Sequence, residues 1–246
     1  MLEAEQLEAP YCAQCGTEIV FHNSRQLYLA LTKLLPELTK LLERHPGWRK
    51  NAIAFTRRYL DEGVRDRAIT HDLDWGVDVP KAGYERKRIY IWAENVLGYL
   101  SMSNTLYLER GTAFEDLWGH DARHYYVHGK DNIPFHTVIL PALLLARNSG
   151  LHLPDEIISS EYMTLEGKRI STSRNWAVWA KDLTERLQPD AIRYFFLANG
   201  PERRDADFSW REFAERINGE LVGTYGNFVN RTLSCRRQKF YSDGLI

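Results

Sequence analysis

The chain has 246 residues, 44% hydrophobic and 26% charged, with 32 basic against 33 acidic side chains and a formal net charge of −1. Such a chain can bury a core as one large or two small domains, and the balance excludes a uniformly basic surface that coats nucleic acid. There is no apolar run long enough for a membrane span, the acidic N-terminus lacks a signal pattern, and three cysteines make no disulfide framework, so a cytoplasmic protein is expected.

Residues 9–22, Ala-Pro-Tyr-Cys-Ala-Gln-Cys-Gly-Thr-Glu-Ile-Val-Phe-His, predict a knuckle turn and a short strand. Cys12 and Cys15 have the spacing of half a tetrahedral Zn2+ site. No second Cys-x-x-Cys follows and His22 is oddly spaced, so a free dithiol is the alternative. Leucines at three- and four-residue steps predict helix from Ser24 to about Glu43, divided into two short helices at Pro36. A further amphipathic helix is expected from Trp48 to about Glu62, ending at Gly63. Asp66 to Pro80 reads as a polar loop leading into an extended segment, with His71 among the aspartates that precede Trp75-Gly76.

Arg88-Ile-Tyr-Ile-Trp92 predicts a buried strand that passes into a helix over Ala93–Tyr99. Tyr125–Asp131 repeats the theme as a strand running into a glycine turn, and the carboxyl ends of such strands are where parallel sheets bind ligands. Asn132-Ile-Pro-Phe-His136 opens an apolar helix, Thr137 to Asn148, with Pro134 in the first turn where its missing N–H would be unpaired anyway. Lys130 can reach a phosphate, and Asp131 can cap the helix or bind a ribose hydroxyl.

A strand is expected over Leu153–Tyr162, followed by Glu166-Gly-Lys-Arg-Ile-Ser-Thr-Ser-Arg-Asn175. Gly167 permits a tight turn, Lys168, Arg169 and Arg174 can neutralise an anion, and Ser171, Thr172 and Ser173 add small hydrogen-bond donors. A loop of this make-up suits a polyphosphate; a basic surface loop is the plainer reading. A helix started by Pro189 runs to Asn199, and a last helical region follows Phe208-Ser-Trp210. Trp75, Phe208 and Trp210 are expected to pack in the core.

In order, these segments resemble the methionyl-tRNA synthetase catalytic core, a class I aminoacyl-tRNA synthetase, over nearly all of residues 10–245. Ala68-Ile-Thr-His-Asp-Leu-Asp-Trp-Gly-Val resembles the family's I-T-R-D-L-x-W-G. Tyr90-Ile-Trp-Ala-Glu-Asn-Val-Leu-Gly-Tyr-Leu-Ser resembles Y-V-W-F-D-A-P-I-G-Y-L-S, and His128-Gly-Lys-Asp-Asn-Ile-Pro-Phe-His resembles the G-K-D-N-x-x-F-H helix start. Arg169-Ile-Ser-Thr-Ser173 falls where K-M-S-K-S belongs. Asp190-Ala-Ile-Arg-Tyr, Asp207-Phe-Ser-Trp and Gly226-Asn-Phe-Val-Asn-Arg follow in place.

The resemblance implies an α/β fold: part of a class I, Rossmann-like nucleotide-binding domain with a parallel sheet, followed by an α-helical segment. Its divisions are a knuckle remnant at 1–22, the nucleotide-binding half at 23–175, and a stem-contact and bundle region at 176–246. It places Trp92, Tyr99 and His136 in the methionine side-chain pocket, with Asn95, Val96 and His71 beside them. Gly129, Lys130 and Asp131 fall on the ATP-ribose strand end, and Lys168, Arg169, Ser171, Thr172 and Ser173 on the triphosphate loop. The implied reaction activates methionine with ATP and Mg2+ and transfers it to tRNA.

Four departures qualify the match. The H-I-G-H segment is absent, which implies an N-terminal half lost in evolution, removed by cloning or supplied in trans. Thr172 replaces a lysine, Asn95 and Val96 replace alanine and proline, and His71 replaces an arginine with a titratable group. Two alternatives stay open: a non-catalytic tRNA- or nucleotide-binding paralogue, and an adenylating paralogue acting on a different amino acid.

Overall fold

Leu31, Leu38, Leu41 and Leu42 share one helix face and are all buried, and the core of the first part of the molecule grows around them. The computed structural model describes residues 7–8, 11–12, 16–20, 23–148 and 150–242, with the backbone alone for 7, 8, 12 and 236–242. Two compact units result, Met1–Ser159 and Ser160–Ile246. Within the second unit, strand pairing ties residues 163–165 to 206–208.

In the first unit, strands β1 (Leu7–Glu8) and β2 (Tyr11–Cys12) pair antiparallel, as do β3 (Tyr28–Leu29) with β4 (Arg67–Ala68) and β5 (Thr70–His71) with β6 (Arg88–Ile89). Strand β7 (Tyr125–Gly129) pairs with β8 (Glu156–Ser160). Helices α1 (Leu31–Arg44), α2 (Lys50–Asp61), α3 (Ile91–Glu94), α4 (Gly98–Arg110), α5 (Phe114–Trp118) and α6 (Leu140–Arg147) cover these short ladders. A π-helical turn, Phe135–Ile139, leads into α6, and its Thr137 hydroxyl accepts a hydrogen bond from the Thr56 hydroxyl of α2 at 2.8 Å.

The second unit holds β9 (Met163–Leu165) between β10 (Lys168–Arg169), antiparallel, and β11 (Ala206–Phe208), parallel. Helices α7 (Ala180–Arg186), α8 (Pro189–Ala198), α9 (Trp210–Arg216) and α10 (Asn227–Ser242) follow, with Pro189 at the first position of α8 as its missing N–H favours. Phe195, fully buried, is the hub of this core and meets Phe208 and Phe213 at ring distances of 5.3 Å. The fold is thus α/β, as expected. Among the described residues, no helix is long and apolar enough to cross a membrane.

Three local expectations need correction. Pro36 does not split α1: the helix runs through it from Leu31 to Arg44, because buried leucines on both sides of the proline anchor one continuous face. The strand expected over Arg88–Trp92 stops at Ile89, since the amides of Ala93 and Glu94 fold back onto the Tyr90 carbonyl and begin a helix. Trp75 is 86% exposed rather than packed in the core, lying on a turn where Gly76 has φ 139°, and Trp210 is also largely exposed. Phe208 is buried as expected.

Candidate active site

In the first unit, the turn from β6 into α3 brings two aromatic stacks together. His71 lies flat against Tyr90 (ring centroids 4.0 Å apart, 11° between planes), and Trp92 lies against Phe135 (4.7 Å, 12°). Both stacks line a cavity of about 320 Å3 whose other walls include Phe55 and Ile69. His71 is itself buried. The preceding segment is braced by Asp72, whose carboxylate accepts from Lys87 Nζ at 2.5 Å and from Ser24 and Gln26. Those bonds, that from Lys87 first, hold the Asp72 carboxyl below the usual carboxylate range.

Next to Phe135 stands His136, with 6% of its surface exposed. Its Nδ1 lies 2.9 Å from the Asn132 carbonyl, which can only accept, so Nδ1 carries the proton. Nε2 is then the acceptor, and Tyr99 Oη donates to it at 2.9 Å. Burial pushes the His136 pKa down to about 4, against the carbonyl's smaller opposing effect, so the ring is neutral at pH 7. His128 stacks on its face at 4.3 Å and 18°. The His128 Nδ1 donates to the Gly129 carbonyl at 2.9 Å, while its Nε2 is buried with no hydrogen-bond partner among the described residues. Burial lowers the His128 pKa and raises those of Tyr99 and Tyr126, the latter packed edge-on against Tyr99 at 5.3 Å. The result is a cluster of polar rings held uncharged.

The expected pocket residues therefore fall into groups. His71 and Trp92 share the cavity, and Tyr99 and His136 share a hydrogen bond. Val96 is buried in the core beneath them, whereas Asn95 is exposed on the 3-10 turn Asn95–Leu97 that joins α3 to α4. At the end of β7, Gly129 is exposed, and Lys130 and Asp131 form a 3-10 turn with Asn132. Tyr90, Tyr126, His128 and Phe135 were not singled out from sequence, although the His128-x7-His136 spacing was a visible signal.

In the second unit, Leu165-Glu166-Gly167-Lys168 closes the β9–β10 hairpin with positive φ at both central residues, 51° and 71°, the twist a two-residue hairpin favours. Asp207 of β11 fastens this turn, accepting from the Gly167 amide at 2.8 Å and the Thr164 hydroxyl at 2.5 Å. Beyond it, the Ser171 and Trp176 backbones exchange two hydrogen bonds of 2.9 Å and close a loop that carries Thr172, Ser173 and Arg174. Ser171 and Ser173 hydroxyls lie 3.2 Å apart. Lys168 Nζ sits 4.9 Å from the Trp176 ring centre and Arg169 Cζ 4.9 Å from that of Tyr162. Cys15 and the Cys12 side chain lie outside the described residues, as does His22; among the described residues no group of three metal-ligating side chains occurs.

The sequence family described as tRNA synthetases class I (M) matches residues 1–233. The chain belongs to this family. Among relatives of this class I synthetase chain, methionine–tRNA ligase 1 of Alkaliphilus oremlandii (strain OhILAs) is 53% identical over 244 residues, 98% of this chain and 44% of the relative. Methionine–tRNA ligase of Bacillus mycoides (strain KBAB4) is 49% identical over 233 residues, 94% of this chain and 42% of the relative. The Mycobacterium tuberculosis methionyl-tRNA synthetase solved in complex with methionyl-adenylate superposes with a TM-score of 0.75 at 26% identity, over 91% of this chain and 43% of that one. The class I synthetase chain described here thus spans less than half the length of the relatives it matches.

Proposed function

We propose that this chain forms part of the active site of a methionine–tRNA ligase. In that reaction the methionine carboxylate attacks the α-phosphate of ATP and pyrophosphate leaves; the methionyl group of the adenylate then passes to the tRNA 3′-end. The neutral His136–Tyr99 pair beside the Trp92–Phe135 stack carries the reading. A thioether is uncharged and polarisable, and it gains from aromatic faces and from polar neighbours that hold no charge. His136 kept neutral by burial offers that, while an imidazolium would favour an acidic side chain.

Lys168, Arg169 and Arg174, with the hydroxyls of Ser171, Thr172 and Ser173, would bind the triphosphate and stabilise charge on the departing pyrophosphate. Gly129, Lys130 and Asp131 would contact the ribose and its phosphates. Mg2+ would arrive on the nucleotide and neutralise phosphate oxygens, since the loop offers cations and hydroxyls rather than carboxylates. Catalysis of this kind is positioning and charge stabilisation and needs no nucleophilic side chain.

The string H-I-G-H does not occur in these 246 residues. The test therefore joins the chain to a segment that bears it, in cis or in trans, and measures ATP–pyrophosphate exchange with each amino acid. Exchange that depends on methionine is the expected result. No exchange with any amino acid, or none that depends on Lys168 and Arg169, would refute the reading.

A further inference from the structure

Residues 168 and 169 are adjacent on a β-strand, so their side chains leave opposite faces of the hairpin. Each meets an aromatic ring of its own. Lys168 reaches Trp176, after the loop, and Arg169 reaches Tyr162, before it, both at 4.9 Å. The indole is fixed from two sides. Its Nε1–H donates to the Leu165 carbonyl at 3.1 Å, and its backbone is paired with Ser171. Asn175 adopts φ 52° to bring the chain back to that pairing, so the tryptophan's place is built into the loop.

We propose that Trp176 and Tyr162 are positioning residues that display Lys168 and Arg169, two of the loop's three cations, to a phosphate chain; this rests on the reading of residues 168–174 as a triphosphate grip. A carboxylate in the same place would order the side chains and also cancel their charge. An aromatic face orders them and leaves the full positive charge in place. The guanidinium over Tyr162 keeps donors directed away from the ring for phosphate oxygens, and so does the ammonium over Trp176. Flexible side chains lose rotamer freedom when they grip a ligand, and the rings have taken part of that loss beforehand. The arrangement also bears on Thr172, which stands where the resemblance expects a lysine. With one cation fewer in the loop, Lys168 and Arg169 gain more from being held in place.

The test uses the full chain with Trp176 replaced by tryptophans of increasing ring fluorination, which keep the shape and weaken the π face. Binding of inorganic tripolyphosphate and of Mg-ATP is followed by calorimetry. Affinity should fall stepwise along the series, to about 2–5-fold weaker at its end, as expected for a solvent-accessible cation–π contact. Trp176→Phe should keep most of the affinity. In a Lys168→Met background the fluorinated series should have no effect, a coupling that a purely structural tryptophan would not show. If Lys168→Met and Arg169→Met weaken binding while the fluorinated series leaves it unchanged, the positioning role is overturned and the loop reading stands. If those two substitutions leave tripolyphosphate binding intact, the loop is not the grip and both ideas fall.

Discussion

His136 links the electrostatics of the candidate pocket to the stability of the first unit. Its pKa lies near 4 in the folded chain because burial disfavours the imidazolium, against an ordinary value of 6.5. As pH falls through 6.5 the unfolded chain takes up a proton at this ring and the folded chain does not, so stability is lost between pH 6.5 and about 4. At pH 5 the loss amounts to at most about 2 kcal/mol, since each unit of separation is worth about 1.4 kcal/mol and the folded ring has barely begun to titrate. Water reaching the ring past the partly exposed Tyr99 lowers that ceiling.

The perturbation is His136→Asn, which removes the titrating group and keeps a polar side chain in its place. Urea unfolding at pH 7 and pH 5 should show the wild type losing more stability than the variant, by up to about 2 kcal/mol. His128, which faces His136 and is also depressed by burial, contributes with the same sign in both proteins and cancels. Tyr99 and Tyr126, the other titratable rings around it, are pushed upward and stay protonated throughout. The carboxyls of Asp66, Asp72, Glu85 and Asp155 are shifted downward in both proteins alike, so they do not enter the difference. Equal losses in wild type and variant would refute the assignment of a neutral, buried His136.

The buried hydroxyl pair Thr56–Thr137 should respond asymmetrically. Thr137→Val strands the Thr56 donor and should cost about 1–3 kcal/mol in denaturant unfolding, whereas Thr56→Val leaves Thr137 still bonded to the Ile133 carbonyl and should cost less. Gly167→Ala forces a Cβ into left-handed backbone at φ 71° and should destabilise the hairpin by about 1–2 kcal/mol by thermal unfolding; because no atom lies within 4 Å of the added carbon, the effect is conformational, not steric. Asn95→Ala, assayed by pyrophosphate exchange in the H-I-G-H-complemented enzyme, should shift the ratio of kcat/KM between methionine and a smaller polar amino acid about tenfold toward methionine. An unchanged ratio would place Asn95 outside the pocket.

Much of the architecture was legible because its signals are local. Leucine spacing marked the body of α1 but not its start, since Tyr28–Leu29 pair as a strand before it; Pro189 marked the start of α8, and Glu166-Gly167 marked a tight turn, each through the short-range sterics of a few residues. Other features depend on partners far along the chain. Pro36 reads as a helix breaker until buried leucines on both sides hold the helix together, and Trp92 reads as a strand residue until Tyr90 turns the backbone and Phe135 receives the indole. Trp75 carries a side chain that composition assigns to a core, yet it sits on an exposed turn.

Sequence by itself determined the family, because motifs in order are one-dimensional information, and it determined which residue types the loop and pocket contain. The tertiary structure alone decided their chemical state. The pKa of His136 follows from burial among residues brought in from other parts of the chain, and its tautomer from the Asn132 carbonyl beside it. The resting places of Lys168 and Arg169 follow from rings on either side of the hairpin. Charge state and orientation depend on dielectric and on neighbours within a few ångströms, and those are properties of the folded chain.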